Sequence, residues 1–335
     1  MRLTRLRLPY PRLLQLVAGF ATLVSLASVA LAQSYPAKSV IVVVPFAAGG
    51  PSDVIARLLA EHAQAALGQP FIIENVTGAA GSTGSGRVAK AAPDGYTLVL
   101  SSVSTHVLNG AVYPKLGYHV IDDFTPVIQV TSSPMFIVAR KTLPANNLKE
   151  LIAWLKANPD KATQGFYGIG NMSHVGGVYF QKETGTKFAF VNYKGANPAM
   201  QDLLGGQIDF IVDLSASSVP QIAAGTIKGL AVTSKTRMAQ VPDVPTTDEA
   251  GLPGFHMTLW NAFWAPKGTP KGIIAKLNAT FAAALADPKV RTKLADLGQE
   301  IPPREQQSPE ALLALQRAEA EKWWPLMKAN NIKVE

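Results

Sequence analysis

Short apolar runs alternate with amphipathic stretches along most of the chain, and glycine, proline and serine separate them. The run VIVVV (Val40–Val44) is β-branched or aliphatic throughout, which predicts a strand buried on both faces. The loop PFAAGGPSD follows. Ile55, Leu58, Leu59, His62 and Ala66 then recur at helical spacing until Gly68 stops the helix. PFIIEN predicts the next strand, TGAAGSTGSG a glycine-rich loop, and a short helix reaches Ala91. A turn at Pro93-Asp94-Gly95 leads to a strand over 96–101. The alternation continues with strand FIVAR, a helix over 147–157, strand TQGFYGIG, and a helix over 174–184 ended by Gly185. FAFVNYKG, QIDFIVDL and IKGLAVTS predict three more strands, with helices in NPAMQDLLGG and SSVPQIAAG between them. LWNAFWAP predicts a last strand, and helices over 270–286, 288–297 and 309–327 close the chain. Repeated β-loop-α units of this kind predict an α/β fold, with a parallel or mixed sheet covered by helices.

The first residues break the pattern. Arg2, Arg5, Arg7 and Arg12 precede an apolar stretch over 13–31, and Ala30-Leu31-Ala32 is followed by Gln33. A basic segment, an apolar segment and a small-x-small site in that order predict a cleavable signal peptide over 1–32 and export to the periplasm. The alternative is an anchor that stays attached, since the apolar stretch just reaches bilayer length. No cysteine follows it to carry a lipid, and no adjacent arginine pair marks the twin-arginine route. The remaining chain of about 300 residues has no second stretch of that length and suits about two domains.

Charge and composition narrow the function. The formal charge is +8, but four of those charges are the N-terminal arginines. What remains is mildly basic, with no Lys/Arg block and no basic stripe, which disfavours nucleic acid and suits a small anion. The absence of cysteine excludes disulfides, thiolate nucleophiles and zinc-thiolate sites. His62, His106, His119, His174 and His256 show no metal-ligand spacing, so neither metal nor cofactor is expected.

The candidate chemistry sits in five loops that leave strand ends and enter helices: 45–53, 77–86, 101–109, 168–174 and 193–198. Ligands of open α/β sheets sit at that edge, where helix N-termini offer unpaired N–H groups and a favourable dipole for an anion. These loops are rich in Gly, Ser, Thr and Asn and poor in charge, which points to a carboxylate held by neutral donors. Each has a plainer reading. A Gly-Gly pair is often only a tight connection, and Asp53 suits stabilisation of its own helix N-terminus. GSTGSG lacks the Lys-Ser/Thr of a phosphate loop, and residues 84–89 match G-x-G-x-x-A only weakly. Ser104 with His106 and Ser173 with His174 are sequence neighbours, whereas catalytic triads assemble from distant segments, and no G-x-S-x-G occurs. An enzyme is therefore not expected. His174 stays open between pocket donor, helix N-terminal residue and core histidine. Trp260, Phe263 and Trp264 suit either a cleft or a core, and Trp323-Trp324 suit packing.

The segment YPAKSVIVVVPFAAGGPSDVIARLLA resembles the opening of the tripartite tricarboxylate transporter substrate-binding proteins, the Bug (Bordetella uptake gene) or TctC-like family, with its P-F-x-x-G-G-x-x-D-x-x-A-R pattern complete from Pro45 to Arg57. LGQPFIIEN, GAAGSTG, VAKAAPDGYTL, VNYKGANPAMQDLLGGQID, VPDVPTTDEAGLPG and FWAPKGTP extend the resemblance over nearly all of the chain after the signal. It implies a two-lobe periplasmic-binding-protein type II fold with two crossover segments. Lobe 1 would comprise 33–132 plus 255–335, and lobe 2 would comprise 133–254. It implies a carrier that captures a small organic carboxylate by hinge closure, hands it to membrane transporter subunits and has no catalytic residues; a monomer is the default for such a freely diffusing carrier, and a ligand-dependent sensor subunit and, further off, a periplasmic hydrolase are the alternatives. Residue by residue, the resemblance places Phe46, Ala48, Gly49 and Ser52 in a clamp, Gly81 and Ser82 in the second loop, and Ser102, Ser104 and Thr105 in the third. It places Gly170, Met172, Ser173 and His174, then Lys194, Gly195 and Ala196 with Asp213, on the opposing lobe. Two departures stand out: GAAGSTG in the second loop, and GNMSH, where Met172 replaces a small polar residue and would face an apolar ligand part or fill space.

Overall fold

The computed structural model describes residues 35–334, so the expected signal peptide lies outside the described residues. From Ser39 onward the chain forms a mixed sheet. The strands are β1 (Val40–Val44), β2 (Phe71–Asn75), β3 (Thr97–Ser102), β4 (Phe124–Arg140), β5 (Thr163–Tyr167), β6 (Ala189–Tyr193), β7 (Phe210–Leu214), β8 (Ile227–Val232) and β9 (Thr258–Pro266). Their order is β2-β1-β3-β9-β4-β7-β5-β6, and β8 also pairs with β4. β1 runs parallel to β2 and β3, β5 runs parallel to β6 and β7, and β3, β4, β7, β8 and β9 meet antiparallel.

β4 is the element that the sequence conceals. FIVAR is only the end of a strand of 17 residues. Pro126 and Pro134 interrupt the apolar pattern, and the register shifts beside Pro126 and again between Gln129 and Thr131. Proline lacks the ladder N–H and is tolerated in strands at irregular positions. From Phe124 to Pro134 the strand pairs with β9, and from Met135 onward it pairs with β7 and β8. Pro134 thus falls where β4 changes partners. One half of the sheet holds β1–β3, β9 and the start of β4; the other holds β5–β8 and its end. The chain returns between them through residues 233–257. There, Thr233 Oγ1 accepts the Met135 N–H at 2.9 Å and lies 2.6 Å from the Met257 carbonyl oxygen.

Helices α1 (Pro51–Leu67), α2 (Ser82–Ala89), α3 (Asn109–Val112), α4 (Leu148–Ala157), α5 (Met172–Thr184), α6 (Ala196–Leu204), α7 (Ser215–Ala223), α8 (Lys271–Ala286), α9 (Pro288–Asp296) and α10 (Pro309–Ala329) cover the sheet. Gly68 ends α1 in the left-handed region, its N–H reaching Gln64 O, as a helix C-terminus favours. Residues 104–108, expected as loop, form a π-helical turn running into α3. One apolar core runs through both halves, from Val43 and Val99 to Phe180, Phe210, Trp260 and Trp323, and a second lies under α6 around Phe136, Leu203 and Ile211. Trp260, Phe263 and Trp264 are fully buried, so they are core and not cleft. Among the described residues no helix is long and apolar enough to cross a membrane.

Candidate functional site

The loop between β1 and α1 is pinned from below by one carboxylate. Asp53 is 2% exposed, and its Oδ2 accepts the Gly49 N–H and Arg57 Nε, each at 2.9 Å. Oδ1 accepts Arg57 Nη2 at 3.0 Å and Asn75 Nδ2 at 2.9 Å. The same Asn75 amide donates to Phe46 O at 3.0 Å, so both ends of the 46–49 turn are held. Burial pushes the Asp53 carboxyl up, but the bonds from Arg57, the Gly49 N–H and Asn75 together outweigh it and bring it down to about 2. Asp53 does sit in the first turn of α1, as expected, yet its hydrogen bonds organise the preceding loop. They also take up the N–H of Gly49, a residue expected in the clamp, so that this donor is spent inside the protein. Ala47, Ala48 and Gly49 are exposed, and no acceptor meets the N–H of Ala47 or Ala48 among the described residues. Ser52 Oγ donates to Asn261 Oδ1 at 3.2 Å, which ties the helix start to β9.

Gly81 joins the second and third loops to the first. Any Cβ there would collide with the Thr105 methyl and would stand 3.4 Å from Pro45 Cβ and 3.5 Å from Phe46 Cε1. The approach to Gly81 is strained: Ala79 and Ala80 have φ of 45° and 49°, between Gly78 and Gly81, which are also positive. Such conformations persist only where the surroundings impose them. Asn109 imposes this one, donating to Ala80 O at 3.1 Å and to Ser82 Oγ at 2.9 Å. α2 begins at Ser82, so half of the expected glycine loop is helix. Ser102 and Thr105 are buried, and Thr105 Oγ1 donates to Ser102 O at 3.0 Å beside Ser101 Oγ. Thr105 is therefore an internal brace and not an open donor. Ser104 is half-buried, with no protein partner for its hydroxyl among the described residues.

In the other half, residues 168–174 are closed on themselves. Asn171 caps α5, accepting the N–H of Ser173 at 3.0 Å and of His174 at 3.2 Å, and its amide bonds Tyr167 O. Ser173 Oγ donates to Asn171 Oδ1 at 2.7 Å and accepts the Tyr167 N–H at 3.0 Å. Met172 is 2% exposed in the main core. Both residues were expected at a ligand; as first-turn helix residues they are built into the framework, and Met172 fills space. Asp213, also expected at the ligand, is likewise bonded inside the protein. It is 1% exposed and accepts Tyr167 OH at 2.8 Å, Ser217 Oγ at 2.5 Å and Ser218 Oγ at 2.7 Å, while burial pushes its carboxyl up. His174 remains half-buried. Its Nδ1 accepts the Gly170 N–H at 3.1 Å, which leaves Nε2–H as the ring's donor. The ring stacks on Phe166 at 4.3 Å, and burial lowers its pKa to about 4, so it is neutral at pH 7. Lys194 is exposed, Gly195 and Ala196 are half-buried, and no side chain caps the N-terminus of α6.

The structure thus brings Phe46, Gly81 and Thr105 together and sets Gly170 against Val112 of α3. The side chains that shape these loops, Asn75, Asn109, Asn171, Asn261 and Tyr167, were passed over in the sequence. Their only local signal was position, since Asn75 ends β2 and Asn171 sits one residue before α5. Replacing Asn171 with Ala is expected to cost about 1–2 kcal/mol in urea unfolding, with Asn171→Asp intermediate because it keeps the acceptor and loses the amide donor. Equal stability of all three proteins would remove the cap from this account.

The family described as tripartite tricarboxylate transporter family receptor matches residues 55–332. The protein BugT of Bordetella pertussis is 38% identical over 275 residues, covering 82% of this chain and 84% of its own. MatC from Rhodopseudomonas palustris, solved with bound malate, is 40% identical with a TM-score of 0.75, covering 87% of this chain and 99% of its own. An R. palustris protein solved with adipate is 34% identical with a TM-score of 0.77, covering 90% and 100%. The fold expected from the resemblance is that of the periplasmic binding protein BugD, which is 40% identical with a TM-score of 0.74, covering 90% of this chain and 100% of its own.

Proposed function

Because this chain belongs to the tripartite tricarboxylate transporter family of receptors, we propose that it is an exported periplasmic solute-binding protein for a small organic carboxylate. The two halves of the sheet act as lobes that close on the ligand about the Pro134 and 233–257 crossovers, and the monomeric carrier passes its cargo to membrane transporter subunits. One observation carries the reading: three strand-end loops meet at Gly81 and expose neutral donors beside a turn locked by Asp53. The Ala47 and Ala48 N–H groups, the Ser104 hydroxyl, His174 Nε2–H and the open start of α6 beside Lys194 are the donors that we assign to the ligand. Phe46 supplies an apolar wall. That malate and adipate occupy two similar proteins supports a linear carboxylate.

A binding role also suits the serines. Ser173 is bonded to Asn171 and Tyr167, and the Nδ1 of His174 is taken by Gly170, so no Ser–His pair is poised for nucleophilic attack there. His106 is fully buried against Trp264. The test is a thermal-shift panel of mono-, di- and tricarboxylates on the protein lacking residues 1–32. An acid at a hundred times its Kd adds about 2.7 kcal/mol, a rise of roughly 5 °C or more. Stabilisation by neutral sugars or cations but by no organic acid refutes the carboxylate reading.

A further inference from the structure

The two halves of the sheet meet at a contact between Gly170, in the loop after β5, and Val112, the last residue of α3. Gly170 is buried with φ +75°, and a Cβ on it would overlap Cγ2 of Val112 and stand 3.1 Å and 3.2 Å from Cγ1 and Cβ. Real side chains do not approach so closely, so only glycine lets the halves come this near. Val112 cannot retreat either. It is fully buried in the main core, and the C-terminal segment braces it from behind: its carbonyl oxygen accepts the Val334 N–H at 2.9 Å, and Ile332 is buried in the same cluster. α3 is anchored at its other end, where Asn109 holds Ala80 and Ser82. The Gly170 side is equally fixed, by the His174 bond to its N–H and by the Asn171 cap.

We propose that Val112 is a hard stop for Gly170, and that this pair sets how far the two halves close. The proposal rests on the hinge-closure reading above. Packed interiors resist compression, so one added methyl at a contact with rigid backing must be met by moving the halves apart. A ligand that binds the closed form best then loses affinity in proportion to the closure lost. Val112 and Gly170 are positioning residues in this scheme, since neither needs to touch the ligand.

A bump-and-hole series tests it. Gly170→Ala, Val112→Ala and the double variant are titrated calorimetrically with malate and adipate. The same proteins carry nitroxide labels at Lys90→Cys and Lys187→Cys, exposed sites in the two halves of a chain with no cysteine of its own. Gly170→Ala is expected to weaken binding about tenfold or more and to lengthen the label distance. The double variant is expected to return both to within about threefold and to the starting distance, because Val112→Ala removes the methyls that the new Cβ meets. The rescue separates closure from backbone strain. Alanine at φ +75° is strained in every state of the protein, and that strain lowers stability without touching affinity. Unchanged affinity and distance in Gly170→Ala, or losses that Val112→Ala does not restore, overturn the stop. If the parent protein binds neither acid, the choice of a linear carboxylate fails instead, and the label distances still decide the stop.

Discussion

Asp53→Ala is expected to lower stability by about 2–3 kcal/mol and to weaken carboxylate binding by at least about tenfold. Breaking a buried, hydrogen-bonded charge pair costs about 3–5 kcal/mol, and the loss falls below that range here because Arg57 is 55% exposed and regains water. The second effect has a separate origin. Without the carboxylate, the Gly49 N–H and the Asn75 amide lose their acceptor, and the 46–49 turn must be ordered by the ligand itself at about 1.4 kcal/mol per tenfold of affinity. Arg57→Gln provides the contrast: it leaves the Gly49 and Asn75 bonds in place and should change affinity little. Urea titration and calorimetry on the three proteins separate the two losses. An Asp53→Ala protein that is less stable but binds as tightly as its parent shows that this turn is not the clamp. The sign of the linkage follows from the depressed pKa. The Asp53 contribution is complete above its ordinary value of 3.8 and is lost as pH falls towards about 2.

Acid should destabilise the protein well above that range, through His106. This ring is fully buried, stacked on Trp264 at 3.9 Å with Phe124 edge-on at 4.6 Å. Burial lowers its pKa from 6.5 to about 3. Below pH 6.5 the unfolded chain binds a proton here that the folded chain refuses until about pH 3, so stability falls across that window and is unaffected above it. The full effect is on the order of 5 kcal/mol, at 1.36 kcal/mol per pKa unit. His174, lowered to about 4, adds to the same slope with a smaller share because it is half-buried. His106→Phe preserves the stacking volume, removes the Nδ1 contact with Thr105 Oγ1 at 3.1 Å, and removes an Nε2 that has no partner among the described residues. It should be close to neutral at pH 7.5 and should flatten the fall between pH 6.5 and 4. Identical pH slopes in urea midpoints for parent and variant would discard this assignment.

Much of the architecture is legible locally. Val40–Val44, Phe71–Asn75 and Phe210–Leu214 are β-branched or aromatic runs bounded by turn residues, and each forms a strand. α1 and α4 show apolar spacing with a glycine stop or an asparagine cap, and each forms a helix near its expected bounds. What resisted reading is non-local. β4 is hidden by two prolines, Pro126 accommodated at a register shift against β9 and Pro134 at the change of partners. Met172 and Ser173 look like loop from composition but open a helix, because Asn171 supplies the cap.

The candidate site divides in the same way. By itself the sequence determined the family, the alternation of strands and helices, the placing of glycine-rich loops at strand ends and the absence of thiol chemistry, since all of these follow from residue types and their spacing. Only the tertiary structure decided which groups are spent inside the protein and which remain to meet a ligand. Gly49, Thr105, Met172, Ser173 and Asp213 carry suitable chemistry in the sequence, yet each is used internally. A donor's availability depends on partners brought from far along the chain, such as Asn75 to Asp53 and Tyr167 to Asp213. The same holds for the seat of Gly170 on Val112, braced by residues 332–334. Residue type fixes what a group can bond, and packing fixes whether that capacity is already satisfied.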